Sequence, residues 1–435
     1  MLETSTFGTP AYDAVLAQLR DRGETDFSRA EPIVREILDD VRKDGDAAVL
    51  RWIAKVEKRT PRALVTRAFG GAEALARLAP EARAALEHAA DRITAFHRRE
   101  REGLAGFRYE EEGIALGLRI RPLARVGVYA PGGKARYPSS VLMSAIPAKV
   151  AGVEDIVLAT PLAGDASDDV VLAAAHLAGV SAIVDCGGAQ AIAAMAYGTA
   201  SIPRVDKIVG PGNAFVACAK RLVYGAVSID SIAGPSEILV LADQTADPEH
   251  VAADLLSQAE HDEDAYALLV TDRPELAEAV ARAVDRQLAD LPRAGIARES
   301  LKRHGHILVV PDRLTMAAVA NAIAPEHLSL QVASPEEMLE VVGHAGAAFV
   351  GGLTPEAAGD YVAGPSHVLP TGGAVRFGSP LGVHDFVART SIIRYGADAL
   401  RKHEASITAL ARLEGLEAHA RAVTVRTRAG ADGGE

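Results

Sequence analysis

The chain has 435 residues, of which 49% are hydrophobic and 24% are charged, a composition typical of a globular protein with two or three domains. Lys and Arg number 46 and Asp and Glu number 58, so the formal net charge is −12. Nucleic acids and anionic membranes select for basic surfaces. We therefore expect neither as a partner, and expect a small-molecule ligand instead.

The two cysteines, Cys186 and Cys218, each lie in an apolar run, which is typical of buried free thiols in a reducing compartment. Residues 1–12 have neither the basic leader nor the apolar core of a signal peptide. The apolar run at 170–184 is interrupted too often to span a membrane. These features predict a cytoplasmic protein.

The first hundred residues are predicted to be helical, from Pro32 and again over 72–101, because apolar side chains recur there at helical spacing. From Arg125 onward, short β-branched runs alternate with Ala-rich runs, which predicts parallel sheets with helices on both faces. The predicted strands cover residues 125–129, 155–160, 182–185, 207–209, 227–230, 237–242, 266–271, 306–310, 328–331 and 347–350. The predicted helices begin near Ser139, Asp168, Ala189 and Asn213, and then cover residues 248–261, 274–288, 314–323 and 335–342.

These elements form two successive series, so we predict an α/β fold with two doubly wound, Rossmann-like domains, N-terminal helices and a small helical C-terminal tail. Ligands of such sheets bind at the carboxyl ends of the strands. The tail follows a Gly- and Pro-rich stretch, with its last helix predicted over 400–423. Having no predicted sheet, it is too short to bury a core alone. We expect it to pack on the body or on a second subunit, and to fray from Arg426.

Residues 257–261, Ser-Gln-Ala-Glu-His, contain two possible metal ligands. Gln258 and His261 are three residues apart, so on a helix their side chains project together about one turn apart. That spacing suits two ligands of one metal ion, and others must come from elsewhere because zinc usually takes four. The alternative is that both side chains are solvated, or that His261 binds the last carbonyls of the helix.

Glu326 and His327 place a carboxylate and an imidazole at the start of a predicted strand, in Ala-Pro-Glu-His-Leu at 324–328. At a junction between loop and strand both side chains can reach one pocket, where they would exchange protons near neutral pH. An exposed turn with two polar residues is the alternative.

Four further candidate ligands lie near the C-terminus. Asp360 and His367 occupy a loop punctuated by glycines, and Glu414 and His419 lie on the predicted tail helix. Because Glu414 and His419 are five residues apart, a single helix would bring them together only obliquely. Each of the four, taken alone, is typical of a surface residue.

Three glycine turns follow predicted strands and precede predicted helices, at residues 127–133, 187–190 and 210–214. In such turns the backbone amides and the helix N-terminus can hold phosphate. None has the G-x-G-x-x-G spacing, so the pattern alone does not identify a dinucleotide site.

Six segments, taken in order, resemble histidinol dehydrogenases over nearly the whole chain. They are Gly-Gly-Ala-Gln-Ala-Ile-Ala-Ala at 187–194, Gly-Pro-Gly-Asn-Ala-Phe at 210–215, Gly-Pro-Ser-Glu at 234–237, Ser-Gln-Ala-Glu-His at 257–261, Pro-Glu-His-Leu at 325–328 and Gly-Pro-Ser-His-Val-Leu-Pro-Thr-Gly-Gly at 364–373. Any one of these motifs can recur by chance, but six in sequence indicate a family.

The resemblance implies roles for individual residues, none of which is substituted in this chain. It implies an acid–base pair at Glu326 and His327. It implies zinc ligands at Gln258, His261, Asp360 and His419. It implies NAD contacts at Tyr129, Gln190 and Asn213. It implies substrate contacts at Ser236, Gln258, His261, His327, Asp360, Glu414 and His419, with His367 beside them.

The resemblance also implies the reaction: L-histidinol is oxidised to L-histidine with two NAD through a bound aldehyde, in the last step of histidine biosynthesis. His327 would take the hydroxyl proton and Glu326 would activate water for the aldehyde step. One zinc ion per subunit would position the substrate, and the hydride chemistry would belong to NAD.

The implied domains are residues 1–128 with 236–380, an inserted NAD-binding domain at 129–235, and a dimerisation tail at 381–435. In this arrangement the N-terminal helices pack with the second sheet, and the tail is exchanged between the subunits of a homodimer.

Three other functions stay open on sequence grounds. A dehydrogenase of the same superfamily could act on another small alcohol, such as sulfopropanediol, because fold alone does not fix the substrate. A zinc hydrolase could use Glu326 to activate water without redox chemistry. A non-catalytic nucleotide-binding protein would leave the acid–base pair and the four metal ligands without a task.

Overall fold

The computed structural model describes residues 2–23, 27–132 and 136–429. In chain order the strands are β1 (Glu3–Thr6), β2 (Val65–Thr66), β3 (Phe107–Glu111), β4 (Ile114–Pro122), β5 (Arg125–Tyr129), β6 (Asp155–Ala159), β7 (Ala182–Val184), β8 (Lys207–Val209), β9 (Ser228–Ile229), β10 (Glu237–Ala242), β11 (Tyr266–Thr271), β12 (Gly305–Val309), β13 (His327–Gln331), β14 (Ala347–Val350) and β15 (Val387–Tyr395). The helices are α1 (Pro10–Asp21), α2 (Glu31–Asp44), α3 (Asp46–Trp52), α4 (Gly71–Arg77), α5 (Pro80–Glu102), α6 (Pro138–Ala151), α7 (Asp169–Leu177), α8 (Gly188–Tyr197), α9 (Ala214–Val223), α10 (Pro248–Ala259), α11 (Pro274–Leu288), α12 (Ala294–His304), α13 (Arg313–Ile323), α14 (Pro335–Val341), α15 (Glu356–Tyr361), α16 (Ala397–Leu413) and α17 (Glu417–Ala429). Gly133, in the first predicted glycine turn, and the last six residues of the tail lie outside the described residues.

The chain forms two compact units, and the first comprises the described parts of Met1–Arg101 and Leu123–Phe386. This unit contains two six-stranded sheets, ordered β2-β7-β6-β5-β8-β9 and β1-β12-β11-β10-β13-β14. Five consecutive strands of each sheet take the spatial order third, second, first, fourth, fifth, as in dinucleotide-binding folds. The predicted α/β fold with two doubly wound sheets is confirmed, and the order reverses between β5 and β8 and between β10 and β13.

The first hundred residues are not wholly helical, because each sheet takes an edge strand from them. β1 pairs parallel with β12, and β2 pairs antiparallel with β7. β1 reads Glu-Thr-Ser-Thr and β2 has only two residues, so neither carries the apolar alternation by which strands are predicted. Both are edge strands, which need no second neighbour and are commonly short and polar.

The N-terminal helices divide between the two sheets, which differs from the expectation that they pack with the second. α1 contacts β1 and α13 on the second sheet. The buried stripe of α2, formed by Val34, Ile37, Leu38 and Val41, belongs to a core shared with α8 and α9 of the first sheet. Eight of the ten residues of α8 are buried, most of them alanines, and their small side chains allow α2 to approach closely.

The second unit comprises the described parts of Glu102–Pro122 and Val387–Glu435. Contrary to prediction, the tail contributes to a sheet: β15 pairs antiparallel with β4 along nine residues, and β3 completes three strands. The predicted single tail helix is two helices, α16 and α17, separated at Gly415, whose φ of +74° ends the first. Arg426 lies inside α17, so the helix continues past the predicted start of fraying. Among the described helices, none has the length and apolar character to cross a membrane.

Candidate active site

The acid–base pair lies at the amino ends of β10 and β13, the two strands between which the order of the second sheet reverses. Ile238 and His327 are paired across these strands. The amide of Glu237 donates to Glu326 Oε2 at 2.9 Å, and the amide of Glu326 donates back to Glu237 Oε1 at 3.3 Å. The site therefore lies at the opposite edge from the carboxyl ends that the general rule for such sheets predicts.

The buried carboxylates of Glu237 and Glu326 have different surroundings. Glu237 forms an ion pair with Arg22, with both side chains 1% exposed, and accepts a further bond from the Gly372 amide at 2.8 Å. Among the described residues, the only basic side chain in ion-pair distance of the Glu326 carboxylate is His327. Burial, together with the neighbouring Glu237 carboxylate, raises the pKa of Glu326 well above its usual range. Glu326 is thus more basic than a solvated carboxylate.

Replacing Arg22 with Met should lower the free energy of unfolding by about 3–5 kcal/mol, because Glu237 would stay buried without its cation. Urea denaturation followed by circular dichroism measures the change. The control is Arg35→Met, which breaks an ion pair with Glu31 whose side chains are 60% and 28% exposed. That loss should stay under about 1 kcal/mol. Equal losses in the two variants would contradict the assigned role of Arg22.

The His327 ring is buried and held in one tautomer. Its Nδ1 lies 3.0 Å from the carbonyl oxygen of Glu237. A carbonyl only accepts, so Nδ1 carries the hydrogen and the lone pair is on Nε2. Within the described chain Nε2 has no hydrogen-bond partner, and it lies 3.8 Å from Asp360 Oδ1. Burial lowers the pKa of His327 to about 3, so the ring is neutral and can accept a proton at Nε2.

The predicted metal ligands of this unit come from α10, the turn after it, and α15. Gln258 is fully buried near the end of α10, and neither its amide oxygen nor its nitrogen has a partner among the described residues. His261 does not share the helix, since α10 ends at Ala259, but its amide donates to the Gln258 carbonyl at 3.2 Å in the following turn. The His261 side chain is exposed.

Asp360 lies on α15 and adjoins the His327 ring. Its carboxylate, His327 and Glu356 each offer a donor atom, and these atoms lie within 4.8 Å of one another. Burial raises the pKa of Asp360 to about 6. An unsatisfied buried amide costs about 1–3 kcal/mol, and crowded buried carboxylates are unfavourable without a cation. Gln258, His261 and Asp360 therefore fit a divalent metal ion by donor type, and the unpartnered amide of Gln258 and the negative charge near Asp360 both favour a cation there.

Two other predicted substrate contacts adjoin this cluster. Ser236 is partly buried immediately before β10, and its carbonyl accepts from the Tyr266 amide at 2.9 Å. The His367 ring forms a hydrogen bond to the backbone of Asp360, while burial lowers its pKa to about 4. Ser236 thus adjoins Glu237, which bonds to both members of the acid–base pair, and His367 is held against the candidate ligand Asp360.

The predicted NAD contacts lie at the carboxyl edge of the first sheet. Tyr129 ends β5, and its hydroxyl accepts from the Gly188 amide at 3.1 Å. Gln190 is buried in α8 and donates to Glu57 Oε1 at 3.0 Å. Asn213 is the exposed N-cap of α9, and its side chain accepts from the Phe215 and Val216 amides. All three side chains therefore already have partners within the chain.

Two glycine turns at this edge bring Tyr129 and the helix starts together. Gly210 has a φ of +114°, and a Cβ there would lie 2.1 Å from the Tyr129 carbonyl oxygen, so only glycine fits. In the other turn, the amide of Gly187 donates to Glu57 Oε1 at 3.0 Å. A carboxylate of this chain thus occupies the start of α8, where the turn pattern predicted phosphate.

Glu414 and His419 belong to the second unit. Glu414 ends α16 as its C-cap, and His419 lies in the first turn of α17. They are therefore on different helices, which corrects the prediction of a single tail helix. Their roles as substrate and metal contacts stay predictions.

Comparison with known proteins identifies the family. The family model for histidinol dehydrogenase matches residues 20–427. The chain belongs to the histidinol dehydrogenase family. The histidinol dehydrogenase of Syntrophotalea carbinolica is 52% identical over 98% of this chain and 100% of its own length. That of Aquifex aeolicus is 50% identical over 94% of this chain and 96% of its own.

Solved structures agree with this assignment. The crystal structure of histidinol dehydrogenase from Elizabethkingia anophelis superposes with a TM-score of 0.91 at 34% identity, covering 98% of both chains. An acetylating aldehyde dehydrogenase from Geobacillus thermoglucosidasius matches with a TM-score of 0.50 at 13% identity, over 89% of this chain and 96% of its own. The second match shows a shared fold alone.

Three residues of this histidinol dehydrogenase family member contact the predicted site residues and were not predicted: Glu237, Glu57 and Glu356. Arg22, also not predicted, reaches the site through Glu237. Arg22 and Glu57 come from the N-terminal segment, and nothing in their local sequence indicates a partner more than a hundred residues away. Glu356 did carry a signal, since it lies four residues before Asp360, the spacing that puts two side chains on one helical face.

Proposed function

We propose that the protein is a cytoplasmic enzyme that oxidises L-histidinol to L-histidine with two NAD, through bound L-histidinal, as the last step of histidine biosynthesis. Family membership supports the substrate and the pathway. The observation that carries the chemistry is the buried Glu326–His327 pair, in which His327 Nε2 lies 3.8 Å from Asp360 Oδ1. The buried amide of Gln258 has no partner among the described residues. These groups can remove protons and hold a cation within one cluster.

His327 is the base for alcohol oxidation in this proposal. Its Nδ1–H is committed to the Glu237 carbonyl, so its lone pair at Nε2 faces the side of Asp360. A neutral imidazole in that orientation can take the hydroxyl proton. NAD, held by the residues assigned below, would supply the hydride acceptor for both oxidations.

Glu326 activates water for the aldehyde step. One of its oxygens accepts the Glu237 amide, which fixes the carboxylate beside His327, with Oε2 3.7 Å from Nδ1. Its raised pKa makes it a stronger base than a solvated carboxylate once it is ionised. The water-derived oxygen becomes part of the product carboxylate.

One zinc ion per subunit would be held by Gln258, His261, Asp360 and His419. The residues present in the first unit fit such an ion in donor type, and the buried Gln258 amide has no other partner among the described residues. When bound, zinc would position the substrate. The substrate contacts that we assign are Ser236, Gln258, His261, His327, Asp360, Glu414 and His419, with His367 beside them.

We assign NAD binding to an inserted domain at residues 129–235. Residues 1–128 and 236–380 together form the other sheet domain, and residues 381–435 form the tail. Tyr129 and Asn213 border the crevice where the strand order of the first sheet reverses, and Gln190 lies at the start of the neighbouring α8. That crevice is where such sheets bind dinucleotides. Its position supports Tyr129, Gln190 and Asn213 as NAD contacts.

We further propose a homodimer in which the tails are exchanged, so that Glu414 and His419 complete the partner's site. Within the second unit several large apolar side chains are exposed, among them Phe107 at 56%, Ile393 at 68% and Leu413 at 83%. An apolar surface on a unit this small favours a protein partner.

The test is the yield of NADH per L-histidinol consumed by the purified, zinc-loaded protein. Two successive hydride transfers should give about two NADH. NADH from 2,3-dihydroxypropanesulfonate but not from histidinol would move the protein to the sulfopropanediol-type branch. Turnover without NAD would indicate a zinc hydrolase, and NAD binding without turnover would indicate a non-catalytic nucleotide-binding protein.

A further inference from the structure

Glu356 is a buried carboxylate at the start of α15 to which the reaction proposed above gives no task. Its side chain is 2% exposed. Oε2 accepts a hydrogen bond from the Ser257 hydroxyl at 3.2 Å. Oε1 has no hydrogen-bond partner in the part of the chain that the structure describes, and it lies 3.5 Å from His327 Nδ1. One oxygen of Glu356 therefore binds Ser257 on α10, and the other faces the imidazole of His327.

The backbone at Glu356 is fixed as well. Its amide hydrogen-bonds to the Asp254 carboxylate, which also accepts from Gln331 at 2.9 Å and Ser329 at 3.3 Å. Glu356 is thus held to α10 by both its main chain and its side chain, and Asp254 links α10 to β13. A side chain held in this way can fix the orientation of a neighbouring ring.

Of the three carboxylates around His327, Glu356 brings a buried oxygen without a hydrogen-bond partner nearest to Nδ1, at 3.5 Å. Glu326 Oε2, 3.7 Å from Nδ1, already accepts the Glu237 amide. Asp360, on the Nε2 side, is a proposed metal ligand. The Glu237 carbonyl fixes the tautomer of the ring, but it is uncharged.

We propose that Glu356 is a positioning residue for the base: it holds the His327 ring with Nε2 toward the substrate and stabilises the imidazolium formed there. When the hydroxyl proton moves to Nε2, the ring gains a positive charge that both N–H groups share. The free oxygen of Glu356 faces the Nδ1–H side of that cation, as the carboxylate of a catalytic triad faces its histidine. This inference rests on the function proposed above.

Glu356→Gln keeps the volume of the side chain and an acceptor for Ser257 but removes the charge. We expect kcat with histidinol to fall about tenfold to a hundredfold, within the range of acid–base contributions, while KM stays within about twofold. Zinc per subunit, measured by elemental analysis, should be unchanged. The matched control is Glu336→Gln, an exposed carboxylate that follows Pro335 in the first turn of α14 as Glu356 follows Pro355, and it should keep the kcat of the unaltered enzyme.

Glu356→Asp keeps the charge but draws it back by one methylene, so its kcat should lie between those of the Gln variant and the unaltered enzyme. Full kcat in either variant would overturn the inference. Loss of zinc together with a raised KM would also overturn it, because Glu356 would then hold the metal site. If Glu356→Gln does not fold, the Asp variant decides on the same criteria. An unaltered enzyme that does not oxidise histidinol would instead refute the proposed function.

Discussion

Glu326→Gln should stop the reaction at the aldehyde. The amide keeps an acceptor for the Glu237 N–H, so the start of β13 and the His327 ring should stay in place. It is no base, so water would not be activated for the second oxidation. We expect aldehyde oxidation to fall by about 10²–10⁴-fold, the range for loss of a general base, and alcohol oxidation by less than about tenfold.

The measurement compares NADH formation from L-histidinol with that from added L-histidinal. In the Gln variant the yield from histidinol should fall from about two NADH toward one, the number set by a single hydride transfer. Glu326→Asp serves as the control, because it retains a carboxylate and should recover part of the aldehyde step. Equal loss of both steps in the Gln variant would assign Glu326 to substrate binding or to folding.

The strands at the centre of both sheets could be predicted because they are apolar, β-branched and bounded by turns. The predicted bounds of β5, β8, β10 and β11 coincide with those observed. Strands β1 and β2 escaped prediction because they are short and take their hydrogen bonds from one neighbour far away in the chain. Strands β3, β4 and β15 escaped it too, and the nine residues of β15 show no regular alternation of apolar and polar side chains. Where an edge strand pairs is decided by tertiary contacts, which local periodicity does not report.

The candidate site, like the fold, was predictable only in part. Glu326, His327 and Asp360 are in reach of one another, and each lies in a motif that the sequence displays. The edge of the sheet at which they meet was not predictable, since the general rule favours the carboxyl ends and they lie at the amino ends. The ion pair between Arg22 and Glu237, beside Glu326, was not predictable either. Arg22 reaches Glu237 only through the packing of α1 against the second sheet.

His261→Ala should release the metal ion and abolish both oxidation steps. Removing even an outer-shell partner of a metal ligand costs about 10–100-fold in affinity, so loss of a ligand should weaken binding by at least about a hundredfold. The His261 side chain is exposed, and the turn that carries it is held by its backbone amide. The substitution should therefore leave the fold intact, which the thermal midpoint of the metal-free protein checks.

The experiment is zinc per subunit after dialysis against a chelator, with both oxidation steps assayed before and after zinc is restored. His250→Ala is the matched control, since His250 lies on α10, the helix just before His261, is 50% exposed and only approaches Asp247 at 4.0 Å. It should keep its zinc and both activities. Because Gln258 is buried without a partner and Asp360 is crowded by other carboxylates, these two residues gain most from the ion and cannot hold it well without His261. A His261→Ala protein that retained zinc but lost activity would place His261 on the substrate and leave the metal to other ligands.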